Sequence, residues 1–386
     1  MRRAFRPVLA FAIAAAACGG ETAPQSRGIR VGFFGALTGP TATFAQSGKR
    51  GVELAAAQIN AAGGVLGEPI EILSEDDRGE AAEAASVVSK LITRDHVVAL
   101  IGEQASSRTL AAAPIAQRYS IPMIAPTSTN IEVTKKGDYI FRVCFTDAYQ
   151  GRVLAIFARR TLKAATAAML VDVKSDYSVG LAEAFRAEFA SRGGKIVAEQ
   201  RYAEGDGDFS AQLTALREAK PQILFVPGYY TDAGLIARQA KGLGLEAVLL
   251  GGDGFDSPKL IEIGGDAVEG TYFSNHYAPE DPAPAVQTFV AEYEKIHGVE
   301  PDSIAALSYD AAKLLADAIR RAGSTERKRV RDAIAATRDW VGVSGTISFD
   351  AERNPIKPGV ILKVEGGKAR FAEKIEPESQ SAAATP

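Results

Sequence analysis

The sequence is poor in the residues that form disulfides and hold metal ions. Its 386 residues include only two cysteines, Cys18 and Cys144, and three isolated histidines, His96, His276 and His297. Metal sites need cysteine or histidine ligands at short, regular spacings, which are missing here. A chain of this length can bury a core that needs no disulfide. We therefore expect no metal site, and we expect Cys144, which lies in an apolar stretch, to be a buried inert thiol.

The sequence also lacks an excess of charge and the motifs of cofactor or acyl-transfer chemistry. A net charge of −3 argues against a basic surface that binds nucleic acid. The chain contains no GxSxG nucleophile motif and no GxxxxGK(S/T) phosphate loop. Gly32 and Gly35, near the end of the first apolar run, do not form the GxGxxG pattern of dinucleotide sites. We therefore expect a binding protein without a cofactor rather than an enzyme.

The first residues are typical of an export signal. A short basic segment precedes an unbroken apolar run of ten residues, 8–17, which is too short to span a bilayer. Small residues lead directly into Cys18, a pattern that resembles a bacterial lipobox, in which the cysteine is acylated and becomes the mature N-terminus. We predict a lipoprotein signal at 1–18, a tether at 19–28 and a disordered tail at 376–386. The alternative is an ordinary signal peptide that is cleaved elsewhere.

From residue 29 onward, short apolar runs alternate with longer amphipathic stretches. Runs such as 29–35 are typical of buried strands, and stretches such as 79–93 are typical of helices. The alternation restarts after residue 145, and three helices and a β-rich end follow from residue 283. This order is typical of parallel sheets covered by helices on both faces. The sequence therefore predicts an α/β fold with two Rossmann-like lobes.

The late helices suggest that the chain returns to the first lobe after completing most of the second. The expected lobes are an N-terminal one at 29–145 plus 276–350 and a C-terminal one at 146–275 plus 351–375. The chain would then cross between the lobes three times. Three crossing strands would form a hinge, which is a common device for closing two domains around a ligand.

Hydroxyl groups follow two predicted strands of the first half. In doubly wound sheets, ligands bind at the carboxyl ends of the strands. Ser106 and Ser107 open a predicted helix, where either serine can cap the helix and where free N–H groups can bind an anion. Thr127 and Thr129 follow the next strand. The two clusters can converge on one carboxylate, although each by itself is also what an ordinary helix cap or turn contains.

Aromatic and acidic residues follow the strands of the second half. Tyr177 and Tyr229 would supply flat apolar walls with a polar tip. Asp253 lies among glycines that let the backbone approach closely, and it is a candidate partner for an ammonium group. The alternative is a turn aspartate, since turns are a common place for this residue.

Five stretches of the chain carry a resemblance to a known family. They are GALTGP at 35–40, QINAAGGVLG at 58–67, APTSTN at 125–130, GYY at 228–230 and GGDAVEG at 264–270. With these stretches the chain resembles the leucine/isoleucine/valine-binding protein family of ABC importers, over about residues 29–364. The resemblance implies a type I periplasmic binding fold with a three-strand hinge. It also implies a monomeric, exported solute-binding protein, facing the periplasm or cell exterior, that delivers an amino acid to a membrane permease.

The resemblance implies that nine residues surround the ligand. Its carboxylate would be held by side chains or backbone groups of Ala105, Ser106, Thr127 and Thr129. Its ammonium group would pair with Asp253. The rest of the ligand would be enclosed by Phe44, Gln104, Tyr177 and Tyr229.

Three of these positions depart from the family pattern. Asp253 is one methylene shorter than the usual glutamate, Phe44 lacks the hydroxyl of the usual tyrosine, and Gln104 stands where an apolar residue is usual. A buried amide needs hydrogen-bond partners, so these changes argue against strict specificity for leucine. The alternatives that stay open are a sensor for amino acids or amides, and uptake of urea, short amides or aromatic acids on the same scaffold.

The lipobox predicts that Cys18 anchors the protein to a membrane. Cys18→Ser removes the acylation site, so the variant is expected to move from the membrane fraction to the soluble fraction when cells are fractionated, with the unchanged protein as control. Retention of the variant in the membrane fraction would contradict the lipobox.

Overall fold

A computed structural model describes residues 28–377, which form an α/β protein with two main sheets. The predicted signal, Cys18, nearly all of the tether and most of the tail lie outside the described residues. None of the helices within 28–377 is long and apolar enough to cross a membrane. The predicted α/β class is confirmed.

The first sheet consists of five parallel strands. They are β1 (Ile29–Gly35), β2 (Ile70–Asp76), β3 (Ala99–Ile101), β4 (Met123–Ala125) and β5 (Ile140–Arg142). Three helices alternate with them, namely α1 (Ala42–Ala61), α2 (Ala81–Thr93) and α3 (Ser106–Arg118). The strand order is β2-β1-β3-β4-β5. Since parallel strands end at the same edge, the loops after β1, β3 and β4 gather on one side of the sheet.

The next part of the chain repeats this alternation. Its helices are α4 (Asp147–Arg160), α5 (Asp176–Ser191), α6 (Ser210–Glu218), α7 (Tyr230–Gly242) and α8 (Pro258–Gly264). Its strands are β6 (Thr166–Asp172), β7 (Lys195–Tyr202), β8 (Ile223–Val226), β9 (Val248–Gly251) and β10 (Tyr272–Asn275). All five strands pair in parallel, so their carboxyl ends also share one edge.

The last part of the chain contributes to both lobes. It contains α9 (Pro284–His297), α10 (Ser303–Ala322), α11 (Arg327–Ala335), β11 (Trp340–Gly342), β12 (Gly345–Ile347), β13 (Gly359–Glu365) and β14 (Lys368–Ile375). The α10 helix shares a core with the first sheet, whereas β13 and β14 extend the second sheet in antiparallel fashion. The second sheet therefore has the order β14-β13-β10-β9-β8-β6-β7. The chain passes between the lobes after β5, after β10 and before β13.

The α10 helix is well defined by its ends and by its apolar face. The side chain of Asp302 accepts a hydrogen bond from the N–H of Ala305 at 2.8 Å, which caps the first turn. Gly323 ends the helix in the left-handed conformation, with φ of 59°. Leu307 and Leu314, both 0% exposed, face the core that α10 shares with α1. This packing returns the late helices to the lobe of the first sheet.

A glycine permits the close packing of α1 against α10. A side-chain carbon at Gly51 would overlap the carbonyl oxygen of Ala305. By contrast, Gly242 at the end of α7 is exposed and has no heavy atom within 4 Å of an added carbon.

Gly51→Ala is expected to lower the free energy of unfolding by about 1–3 kcal/mol, because the two helices must separate to accommodate the methyl group. Gly242→Ala is the matched control, and it is expected to leave stability unchanged or raise it by about 0.5–1 kcal/mol. Chemical denaturation of both variants provides the measurement. Equal stabilities of the two variants would show that the α1–α10 contact has room to spare.

Candidate functional site

The cleft between the two sheets contains a small cavity at the carboxyl ends of the strands. The residues that line it are Phe44, Gln104, Ser106, Thr127, Tyr177, Tyr229, Asp253, Gly254 and Ile304. Seven of them are predicted site residues, contributed by both lobes. Gly254 and Ile304 were not predicted. The structure thus brings most of the predicted set into one place.

Two predicted residues lie behind the cavity wall instead. Thr129 is 0% exposed and Ala105 is 2% exposed, and neither lines the cavity. The N–H of Ala105 donates to the carboxylate of Glu103, so this amide already has an acceptor. The carbonyl of Thr129 accepts from the N–H of Asp147 at 2.9 Å. A direct role of these two residues in ligand binding stays a prediction.

The start of α3 differs from the expected serine cap. The helix begins at Ser106, the cap position is Ala105, and no side chain caps the helix. The prediction that Ser106 or Ser107 caps the helix is therefore wrong. The hydroxyl of Ser106 accepts from the N–H of Asn130 at 3.2 Å, and that of Ser107 accepts from the N–H of Asp176 in the other lobe at 2.9 Å. The first N–H groups of α3 keep the partial positive charge that attracts anions.

Aromatic rings from both lobes close the cavity. The ring of Phe44 meets that of Tyr229 edge-on, with centroids 5.8 Å apart, and meets that of Tyr230 at 4.9 Å. The rings of Tyr177 and Tyr229 stack at 5.3 Å. The free space inside is about 10 Å³, roughly enough for one water molecule. A ligand larger than a water molecule therefore needs a wider space than the cavity has in this structure.

Contacts between the lobes hold both rims of the cleft together. On one rim the guanidinium group of Arg108, which is 5% exposed, lies 3.1 Å from the carboxylate of Glu204. On the other rim the hydroxyl of Thr231 donates to the carbonyl of Pro40 at 2.7 Å. The structure is thus the closed arrangement of the two lobes.

Asp253 supplies a buried carboxylate to the cavity. It follows β9 and is 5% exposed. One oxygen accepts from the side-chain amide of Gln150 at 2.7 Å, and the other lies 2.9 Å from Nε2 of His276. Burial lowers the pKa of His276 to about 4, against the opposing effect of Asp253, so the imidazole is neutral at pH 7. Among the described residues, Asp253 has no charged basic group within ion-pair distance.

Gln104 lines the cavity, and the hydrogen-bonding groups of its side-chain amide are unsatisfied among the described residues. The residue is 4% exposed, and neither its side-chain oxygen nor its nitrogen has a hydrogen-bond partner within residues 28–377. The hydroxyl of Ser308 on the adjacent α10 is also buried and has no hydrogen-bond partner in the described part of the chain. Unpaired buried polar groups are costly, so this corner of the site favours a polar partner.

The structure adds four residues to the predicted site: Gly254 and Ile304 line the cavity, and Gln150 and His276 contact Asp253. His276 follows β10 directly, and the sequence contains a signal for it, because other strand ends of the second lobe provide site residues. Gln150 lies in the first turn of α4 and Ile304 in the first turn of α10, and no strand-end pattern marks either position.

Comparisons with known proteins agree with this architecture. Residues 28–368 match the family model described as periplasmic binding protein. A Leu/Ile/Val-binding protein homolog of Brucella melitensis is 31% identical over 346 residues, which are 88% of this chain and 92% of that protein. The expected family resemblance is therefore confirmed.

Two crystal structures extend the comparison to three dimensions. The leucine-binding protein LivK of Thermotoga maritima is 39% identical with a TM-score of 0.87, covering 90% of this chain and 99% of that one. The branched-chain amino acid transporter substrate-binding protein LivJ of Streptococcus pneumoniae, in complex with isoleucine, is 34% identical with a TM-score of 0.86 and covers 91% and 100%. The two lobes, the cleft and these matches together show that the chain belongs to the periplasmic binding protein family, with the type I fold of its Leu/Ile/Val-binding relatives.

Proposed function

We propose that this chain is the extracytoplasmic solute-binding component of an ABC importer and that it binds a neutral amino acid, branched-chain or similar, between its lobes. The observation that carries the proposal is the buried carboxylate of Asp253. Its partners in the described part of the chain are neutral, and Ser106 and Thr127 of the other lobe line the same cavity. A zwitterion complements both ends of such a site. The protein acts by binding and release, without a catalytic step.

Binding and closure are coupled in this mechanism. In the open form the ligand carboxylate meets the first lobe, where the N–H groups of α3 and the hydroxyls of Ser106 and Thr127 can receive it. The second lobe then brings Asp253 to the ammonium group and the rings of Tyr177 and Tyr229 over the ligand. Because the ligand contacts both lobes only in the closed form, it shifts the population toward closure. Exclusion of water strengthens the charged hydrogen bonds.

The proposed cellular role adds an anchor and a partner. Acylated Cys18 would hold the monomer at the membrane, and the closed pair of lobes would be the form that the permease recognises. Cys18 lies outside the described residues, so the anchor stays a prediction from the sequence.

The unpartnered amide of Gln104 favours a second candidate ligand class. A short amide, or an amino acid with a polar side chain, would give that amide a hydrogen-bond partner, which a purely aliphatic side chain would not. Both classes use the same cleft and differ at the end of the ligand that faces Gln104.

A thermal-shift screen of the mature protein against the twenty amino acids, urea, short amides and aromatic acids tests the proposal. A ligand at about 100 times its Kd adds roughly 2.7 kcal/mol of stability, which raises the Tm by several degrees. We expect this shift with a neutral amino acid. A shift with an amide or an aromatic acid and with no amino acid would keep the fold and reject the role given to Asp253.

Asp253→Asn is expected to weaken amino-acid binding by more than about tenfold, because the ammonium group loses the counter-charge of Asp253 in a buried site. Asp266→Asn, at an exposed position in the same lobe, is the matched control and should leave Kd unchanged. Titration calorimetry with the amino acid found in the screen provides the measurement. Unchanged affinity of the Asp253 variant would remove this residue from the site.

A further inference from the structure

His276 lies where two of the connections between the lobes meet. It follows β10 directly, at the point where the chain leaves the second sheet. Its side chain is 0% exposed, and its Nε2 atom lies 2.9 Å from an oxygen of Asp253. The imidazole stacks on the ring of Phe145, with centroids 3.6 Å apart and planes at 28°. Phe145 itself follows β5 in the first connection, so both connections support the imidazole.

The hydrogen-bond pattern defines the protonation state of this imidazole. An ionised carboxylate only accepts hydrogen bonds, so the proton of the ring must be on Nε2. The Nδ1 atom is buried and has no partner within the described residues. A second proton there would create a buried charge with an unpaired donor, which is costly. The lowered pKa of His276 agrees with this, since burial outweighs the carboxylate of Asp253 and the ammonium of Lys357 adds to the lowering.

A neutral hydrogen-bond donor leaves the negative charge of Asp253 available to the ligand, whereas a cation would not. A lysine or arginine at this position would neutralise Asp253 and compete with an incoming ammonium group. The imidazole of His276 and the amide of Gln150 each occupy one oxygen but add no charge. A carboxylate has about four lone-pair positions, so two hydrogen bonds fix its orientation and leave acceptor capacity free. The carboxylate therefore keeps its negative charge and is held in one orientation.

We infer that His276 is a positioning residue for the ligand ammonium group, and that its Nε2–H bond to Asp253 makes the cleft select ligands that carry a cationic nitrogen. This inference rests on the proposed function. The contact lies beside the proposed hinge, so we expect the carboxylate of Asp253 to keep its orientation when the lobes open.

The test compares two ligands that differ only in the amino group, leucine and 4-methylpentanoate, by calorimetry on the mature protein. His276→Leu removes the donor and should weaken leucine binding by about tenfold or more, while leaving 4-methylpentanoate within about twofold. His276→Gln keeps an N–H donor and should restore most of the preference for leucine. Equal losses for both ligands, or a Gln variant no better than the Leu variant, would show that the imidazole only fills space.

A second measurement needs no ligand and so separates this inference from the proposed function. Nitrogen NMR of the imidazole should report the neutral Nε2–H tautomer from about pH 5 to pH 8, given a pKa of about 4. Asp253→Ala should shift the Nε2 resonance. An imidazole that titrates near its usual pKa of 6.5, or a resonance unchanged by Asp253→Ala, would overturn the inference even if an amino acid binds. If neither leucine nor any other amino acid binds while the NMR result holds, the proposed function fails and the Asp253–His276 contact stands.

Discussion

The cleft is organised around the buried carboxylate of Asp253, which has hydrogen bonds but no counter-ion among residues 28–377. Asp253 is held by Gln150 and His276, both neutral. Burying an ionised group without a countercharge is unfavourable, and in water the same group would be well solvated. In the proposed function, a ligand that brings a positive charge offsets this cost. The chemistry of the ligand and the closure of the lobes are then linked through Asp253.

In the proposed function, the first lobe binds the negative end of the ligand, and it does so with backbone dipoles rather than with a charged side chain. The start of α3 presents backbone N–H groups, since the serines that could have capped it bond elsewhere. Parallel sheets in both lobes make this opposition possible, because the helix N-termini and strand ends of each sheet lie at the edge that faces the cleft. One end of the cavity is thus suited to an anion and the other to a cation, with aromatic rings between them.

Strand periodicity predicted much of this site, for a simple reason. Tyr229 and Asp253 follow strands of the second sheet, and parallel strands end at a common edge, so sequence position alone places these two side by side. The same reasoning places Ser106 and Thr127 together at the edge of the first sheet. Hydrogen bonds between residues that are far apart in the sequence could not be predicted in this way. Gln150 reaches Asp253 over 103 positions, and the hydroxyl of Ser107 finds Asp176 over 69, so no local pattern reveals either contact. The incorrect serine caps have the same origin, because each hydroxyl bonds a distant backbone N–H, that of Asn130 for Ser106 and that of Asp176 for Ser107.

The contacts between the lobes at the two rims of the cleft affect how fast a ligand dissociates in the proposed mechanism. In this mechanism, a bound ligand departs when the lobes part. Parting them breaks the pair formed by Arg108 and Glu204 and the bond from Thr231 to Pro40, none of which lines the cavity. These contacts therefore act on residence time more than on chemical preference, since they resist opening without touching the ligand. Substitutions at the rims can therefore change the residence time of the ligand, whereas its specificity depends on the residues that line the cavity.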